Sequence, residues 1–318
     1  GAAITTLTSQ FLYLNLHYYT DMASLGAQVV AGIGFIGAGT IVVTRQHRVK
    51  GLTTAAGLWA SAIIGLALGG GFYEGALLTM FGGMCWGVSG CVGQYLFTRQ
   101  GMDSTWLVPI RLFLAGVILC IYYGVRNWRQ LVNPWRSWRN ARDLVIYGLA
   151  GVSFCQFTYF LTIQLSSAGV GTILQDLSPV LILLVVCIQQ KRAPRLFEVF
   201  SIVLALGGVF MLTTHGSLTN MAVSPAALVV GIISAFCVVI YTIWPQNLQK
   251  QYPTPMLQGW AFLMGGTFFA LVFRPWQMNY VPNAAGIAGI AAVVLIGNVL
   301  AFSCYMSGVK YIGSVQIR

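Results

Sequence analysis

Asp176 is the residue best placed to do chemistry in this chain of 318 residues. It lies in the run TILQDLSP within a long apolar segment, where a carboxylate costs about 3 kcal/mol and is usually kept for a pathway or a proton relay. Arg111 is the one base well inside the apolar segments that follow residue 76. Two interpretations stay open: Asp176 exchanges a proton in step with a bound solute, or it forms a structural ion pair with Arg111.

Several polar side chains in neighbouring apolar segments could line a cavity with Asp176. A proline interrupts the helical hydrogen-bond ladder, and the freed carbonyl groups can face such a cavity. Each polar group has an equally ordinary role as a contact between helices. Together they would offer amide hydrogen bonds and an aromatic wall to a small zwitterionic or aromatic molecule. The candidates are Trp86, Ser89, Gln94, Gln156, Tyr159, Gln175, Ser178 and Pro179.

The remaining polar residues show no pattern typical of an enzyme or a metal site. The six acids and three histidines are scattered, and all seven cysteines lie in apolar runs without a C-x-x-C pair. The sequence has no serine-hydrolase, zinc-protease or Walker motif. We therefore predict that the protein is not an enzyme and has no catalytic residue, no metal and no cofactor.

Glycine spacing in two apolar segments predicts close helix packing. Gly32, Gly34 and Gly37 match a dinucleotide-binding pattern, but the strand before it and the acid about 20 residues after it are missing. Glycines three or four residues apart let helices approach closely in a bilayer. We expect this role for them and for Gly83 and Gly87.

The elements that must position these residues are membrane-spanning helices. Apolar residues make up 57% of the chain and charged residues 7%, and the mean hydropathy is +0.78, far from the roughly 25% charge of soluble domains. Eleven apolar segments of about bilayer length follow one another, without the alternation of a membrane barrel. The net charge of +11 lies mostly between these segments, which indicates orientation in a membrane and no binding of nucleic acid. The fold class is therefore all-α, a polytopic transmembrane helical protein whose first partner is the lipid bilayer.

The basic loops give conflicting orientations. Residues 45–50 and 126–142 both carry clusters of bases, which favour the cytoplasmic side. Three apolar segments separate them, which would place the two loops on opposite sides. Either one segment near residues 72–80 does not cross the membrane, or two unrelated regions are joined there. We expect the second, a junction near residues 77–80, and a chain that begins at a fragment edge.

Weak internal similarity predicts a duplication after residue 76. The run GQYL at 93–96 is echoed by PQNL at 245–248, and Gly151 and Tyr159 are echoed by Gly297 and Tyr305. Such repeats are common in transporters, whose substrate sites lie between the halves. Five apolar segments lie between residues 76 and 212 and three follow residue 212, so two helices of the second half are expected to be missing.

The first region resembles the MgtC/SapB family. The resemblance rests on AQVVAGIGFIGAG at 27–39 and VKGLTTAAGLW at 49–59. It implies a small inner-membrane protein linked to magnesium limitation and acid stress. We assign residues 1–75 to this MgtC-like fragment, with a few N-terminal helices.

The rest of the chain resembles the EamA branch of the drug/metabolite transporter superfamily. The resemblance rests on GGMCWGVSG at 82–90, PIRLFLA at 109–115, and SSAGV at 166–170 leading to LSP at 177–179. It implies inverted five-helix repeats, here residues 76–215 and a truncated second repeat over 223–318. It also implies a multi-pass protein of the bacterial inner (plasma) membrane that moves small organic metabolites. Our hypothesis is that transport proceeds by alternating access and is coupled to protons.

Two alternatives to transport remain open, together with the oligomeric state. The chain could be a non-transporting MgtC-like membrane regulator of the magnesium or acid stress response, or an inactive fusion fragment. Transport of a small-molecule substrate would distinguish the transporter from both alternatives. Homo-oligomers are compatible with each.

Overall fold

The computed structural model describes residues 42–43, 49–50, 61–62, 64–71, 73–194, 199, 202–203, 206–207, 209–210, 223–278 and 280–305. Contacts within the chain define two compact units, residues 1–83 with 304–318 and residues 84–303. Most of the helices predicted over 27–43, 52–67 and 196–212 lies outside the described residues, as do Gly32, Gly34 and Gly37.

A short hairpin lies in the first unit. Strands β1 (Val42–Val43) and β2 (Val49–Lys50) pair antiparallel, with Val42 opposite Lys50 and Val43 opposite Val49. The prediction of a helix as far as Val43 is therefore wrong at its end, because the β-branched valines on both sides of the basic loop pair as strands.

Seven helical segments in the described part of the chain are long and apolar enough to cross a membrane, which confirms the polytopic helical fold. We number them in chain order as the first to the seventh span. They are Tyr73–Arg99, Ser104–Arg136, Trp138–Leu165, Ala168–Gln189, Pro225–Ile243, Thr254–Gln277 and Ala284–Tyr305.

Several spans are built from more than one helical piece. The second is an α-helix, Ser104–Val132, followed by the 3₁₀ turn Asn133–Arg136. The third joins α-helices Trp138–Val145 and Phe154–Leu165 through the π-helical segment Ile146–Ser153. The fourth joins Ala168–Gln175 to Ser178–Gln189, and the sixth is Thr254–Phe273 with the turn Pro275–Gln277. The seventh begins as Ala284–Ala292 and continues as the π-helical segment Val293–Leu300, while a short helix, Gln246–Gln251, lies between the fifth and sixth.

Residues 77–80 lie inside a continuous helix, Tyr73–Arg99. The expected junction of two regions therefore falls where the backbone is helical on both sides. A continuous helix does not show whether the two regions have one origin, so the junction of two unrelated regions stays a prediction.

Polar side chains begin four of the spans. In each case a side-chain oxygen accepts a hydrogen bond from a backbone N–H of the first turn, which would otherwise have no partner in the helix. Asp103, for example, accepts from the Thr105 N–H at 2.8 Å. These N-cap residues are Asp103, Ser167, Ser224 and Asn283.

The second and sixth spans cross closely at two glycines. A Cβ added to Gly116 would lie 2.9 Å from the Leu263 Cβ, and one added to Gly266 would lie 2.8 Å from the Phe113 Cβ. The contact is reciprocal, since each span places a glycine against a larger residue of the other. Such small residues let the two backbones approach, which supplies packing energy that lipid does not.

Gly83 and Gly87 do not have the packing role predicted for them. Both are exposed, and no described residue comes within 4 Å of a Cβ built on either. Gly90 and Gly93, on another face of the same helix, have neighbours instead: the Tyr159 hydroxyl lies 3.1 Å from the Cβ position of Gly90. Glycines of this helix do pack against another helix, but they are Gly90 and Gly93 and not the predicted Gly83 and Gly87.

Candidate functional site

Arg111 of the second span lies at the centre of a buried polar cluster. Its side chain is 1% exposed. Nη1 donates to Oδ1 of Asn298 at 3.1 Å, and Nη2 donates to Oε1 of Gln156 at 2.7 Å and to the Gln156 carbonyl at 3.2 Å. The guanidinium carbon lies 3.5 Å from the centroid of the Phe160 ring, a cation–π contact. The cluster therefore joins the second, third and seventh spans.

The structure does not form the ion pair between Arg111 and Asp176 that one interpretation predicted. Arg111 has the neutral amides of Gln156 and Asn298 as its hydrogen-bond partners. The ion pair found among the described residues is a different one: Nη2 of Arg142 lies 3.0 Å from Oδ1 of Asp143. The guanidinium meets side chains of the third and seventh spans, while Asp176 lies on the fourth.

Asp176 lies where the fourth span is interrupted. The helix Ala168–Gln175 ends at Asp176, and the next helix, Ser178–Gln189, begins two residues later with Pro179 in its first turn. The Asp176 N–H donates to the Thr172 carbonyl at 2.9 Å, and its carboxyl side chain is exposed on the protein surface. Discontinuous helices of this kind mark substrate and ion sites in many secondary transporters.

Gln175 and Ser178 flank Asp176 on the inner side of the fourth span. The Gln175 amide donates to Sγ of Cys155 at 3.0 Å and to Oγ of Ser234 at 3.1 Å, which ties the fourth span to the third and fifth. Ser178 is buried. Both residues therefore lie on the protein side of the interrupted helix.

Gln94 and Tyr159 hold the beginning of the fourth span. Oε1 of Gln94 accepts from the Ala168 N–H at 2.9 Å, and the Tyr159 and Thr172 hydroxyl oxygens are 3.0 Å apart. Gln94 thus satisfies a first-turn N–H that has no partner within its own helix.

Trp86 and Ser89 join the first span to the seventh. The Trp86 ring packs edge-on against Phe302, with centroids 4.8 Å apart. Ser89 is buried directly against Gly297, where a Cβ would collide with its hydroxyl.

Two of the cavities lined by described residues lie at the end of the helices where the basic loop of residues 126–142 is found. One has a volume of about 330 Å³ and is lined in part by Arg139, Asp143 and Lys250. The other, of about 360 Å³, is lined in part by Tyr122 and Arg126. Neither is lined by the residues predicted to form a cavity. Gln94, Gln156 and Gln175 instead make hydrogen bonds to residues of other helices.

Sequence reasoning missed Asn298, Phe160 and the buried pair Tyr147 and Gln258. The Tyr147 hydroxyl donates to Oε1 of Gln258 at 2.6 Å, joining the third and sixth spans. Asn298 and Gln258 are each 1% exposed. Asn298 and Gln258 could have been selected from the sequence, because each is a lone amide inside an apolar segment, as Gln156 and Gln175 are. Phe160 carried no signal, since nothing distinguishes it from other apolar residues of its helix.

These features define a multi-pass helical membrane protein with a polar cluster between its spans, and comparison with known proteins gives its family. The model of the EamA-like transporter family matches residues 73–214 and 225–317. The chain belongs to this family. It is 32% identical over 240 residues to a Salmonella typhimurium protein named "Uncharacterized inner membrane transporter YicL", which covers 76% of this chain and 80% of that protein. The chain is therefore a protein of the bacterial inner membrane.

The N-terminal part matches a second family. The MgtC family model matches residues 1–89, overlapping the first match within the helix Tyr73–Arg99. The chain is 41% identical over 88 residues to the "Putative magnesium transporter YhiD" of Escherichia coli, and 45% identical over 60 residues to the protein SapB of Bacillus subtilis. It covers 40% of the first protein and 26% of the second. No solved structure matches the chain significantly.

Proposed function

We propose that this membrane transporter carries small organic metabolites by alternating access and exchanges them for protons at Asp176. The observation that carries the proposal is the position of Asp176, a carboxyl group at the interruption of an apolar span. Such a group is costly in a bilayer unless it serves a pathway, and an interrupted helix provides free backbone groups beside it.

The polar contacts between helices supply the rest of the path. In our proposal, residues 76–215 and 223–318 are the two repeats, and the solute binds between them. The side chains that now bond across helices exchange these partners for the solute when the repeats move apart. Gln94, Gln156, Tyr159 and Gln175 would supply hydrogen bonds, and Trp86 an aromatic wall.

The reciprocal crossing of the second and sixth spans supports a repeat arrangement. Gly116 lies against Leu263, and Gly266 lies against Phe113, as two spans related by a pseudo-two-fold axis would be placed. The pair Gly151 and Gly297, matched in the sequence repeat, also recurs in the π-helical segments of the third and seventh spans. Rocking of one repeat against the other is the usual motion in proteins of this kind.

The test is proton flux in vesicles that contain the purified full chain and a trapped pH-sensitive dye. A panel of amino acids, organic acids and amines is added outside, and the change of internal pH is recorded. We expect wild type to respond to at least one compound, Asp176→Asn to lose at least about tenfold of that response, and Asp176→Glu to recover part of it. Asp143→Asn is the matched control, because Asp143 pairs with Arg142 at the start of the third span.

Exchange of labelled against unlabelled compound separates coupling from transport. Asp176→Asn should still exchange the compound at equal pH on both sides, since exchange needs no net proton movement. An unchanged proton flux in Asp176→Asn would exclude the proton role of this residue.

The match over residues 1–89 favours a second candidate, a non-transporting membrane regulator of the magnesium or acid stress response. In that case the vesicles show no flux with any compound, and cells carrying the chain grow differently when magnesium is limiting. A chain that is inactive in both assays would be a fusion fragment without function.

A further inference from the structure

Among the described residues, no acid pairs with the buried charge of Arg111. Its side chain is 1% exposed, and its side-chain partners Gln156 and Asn298 are neutral. None of the acids in the described ranges, Glu74, Asp103, Asp143 and Asp176, lies within 4 Å of its nitrogens. An ion taken out of water without an opposite charge carries a large desolvation cost, so this cluster is one that an anion would complete.

Two buried donors in the cluster have no acceptor among the described residues. Within the described part of the chain, Nε of Arg111 and Nδ2 of Asn298 are buried and make no hydrogen bond. The orientation of the Asn298 amide follows from its neighbour: Arg111 can donate but not accept, so the amide oxygen must face it and the NH₂ group must point elsewhere. Two touching side chains therefore offer one positive charge and unused N–H groups.

The cluster lies about two turns into the second span, away from the membrane surface. Asn298 is part of the π-helical segment Val293–Leu300, and Gln156 follows shortly after the segment Ile146–Ser153. Such wide turns occur frequently at functional sites. Arg111 and Gln156 come from the first proposed repeat and Asn298 from the second, so the cluster lies on the boundary at which transporters bind substrate.

We infer that Arg111 and Asn298 bind the carboxylate of the transported metabolite. Guanidinium groups bind carboxylates through paired, charge-assisted hydrogen bonds, and the Phe160 ring supports the guanidinium. The substrate class is then small organic acids and zwitterions that carry a carboxylate. This inference rests on the proposed function, because it names the substrate class of the same path.

The test uses matched pairs of compounds in which a neutral carboxamide replaces the carboxylate. The purified full chain is heated in detergent with phenylacetate or phenylacetamide, succinate or succinamide, and phenylalanine or phenylalaninamide, each against sodium chloride at equal ionic strength. We expect at least one carboxylate to raise the unfolding temperature by about 3 °C or more, and its amide to have no effect. Arg111→Gln should abolish this shift, and Arg129→Gln, an exposed arginine of the same span, should keep it.

Three results would overturn the inference: no carboxylate shifts wild type, an amide shifts it equally, or Arg111→Gln keeps the shift. A shift with sodium chloride that carboxylates do not exceed would show an inorganic counter-ion and would also overturn it. The wild-type comparison does not depend on the folding of any variant.

Exchange assays in vesicles distinguish this inference from the proposed function. Exchange of a carboxylate compound that is equal in wild type and Arg111→Gln would show transport and overturn the carboxylate site. An Arg111-dependent carboxylate shift without flux of any compound would support the site and overturn transport.

Discussion

Nη1 of Arg111 donates a hydrogen bond to Oδ1 of Asn298 at 3.1 Å, although the two residues are 187 positions apart. The bond joins the second span to the seventh and pairs a buried cation with a neutral amide. A neutral partner leaves the charge uncompensated, which is the physical basis of the carboxylate site inferred above.

Asn298→Asp should supply the missing counter-charge from within the protein. We expect this variant to raise the free energy of unfolding by about 2 kcal/mol, because a charged hydrogen bond replaces a neutral one. It should also lose the thermal shift with carboxylates, since the site is then occupied. Asn298→Leu, which removes the bond to Arg111, should lower stability. Thermal unfolding in detergent measures both, and a destabilised Asn298→Asp would contradict the assignment.

The glycines at the crossing of the second and sixth spans should not tolerate a side chain. Gly116→Ala and Gly266→Ala each place a Cβ within 2.9 Å of the Cβ of Leu263 or Phe113, and we expect each to cost about 2 kcal/mol. Gly87→Ala is the matched control, because it is exposed and helical. Chemical unfolding in mixed micelles compares them. Equal stability of the three variants would show that the crossing is looser than described.

Gln94 should be needed as an acceptor for the fourth span. Gln94→Leu leaves the partly buried Ala168 N–H without its partner, and we expect a loss of about 1–2 kcal/mol. Gln94→Glu keeps the oxygen and faces the positive end of the helix dipole, so its loss should be smaller. Hydrogen exchange at Ala168 reports the bond directly. Equal exchange in wild type and Gln94→Leu would refute this role.

Asp103, at the start of the second span, should add stability that acid removes. Partial burial raises its pKa, but hydrogen bonds from the Thr105 side chain and backbone and from Gln164 outweigh burial and hold the pKa below its usual value. A group whose pKa is lower in the folded state stabilises the fold above its unfolded pKa of about 3.9, and loses that contribution as the pH falls through the folded value.

The measurement for Asp103 is the unfolding temperature between neutral pH and about pH 3. On acidification, wild type should lose more stability than Asp103→Asn. The difference in the free energy of unfolding should be less than about 1 kcal/mol, because the Asp103 side chain is exposed and water screens its charge. Asp143→Asn serves as the control for removal of an acid at another position, where the carboxylate pairs with Arg142. An Asp103→Asn curve parallel to wild type would exclude the contribution.

The predicted cavity residues show where sequence reasoning reached its limit. Gln94, Gln156 and Gln175 were selected as cavity candidates because they are polar groups inside spans, and all three make hydrogen bonds between spans. Their partners could not be predicted, because a partner depends on which helix lies alongside and at what height. The pairing of Arg111 with Asp176 failed for this reason.

The sequence also did not predict which face of a helix packs against other helices. Gly83 and Gly87 have the spacing of a packing motif but are exposed, whereas Gly116 and Gly266, far apart in the chain, form the close crossing. In an all-apolar helix every face looks alike in the sequence, since lipid and protein neighbours are equally apolar.

The sequence by itself determined the helical membrane architecture and the approximate bounds of the spans from residue 73 onward, because bilayer thickness and backbone hydrogen bonding act on each segment locally. Only the tertiary structure decided that Asn298, Gln156 and Phe160 surround Arg111. That cluster is formed by side chains from three spans, and its geometry follows from how closely the helices pack rather than from any local pattern.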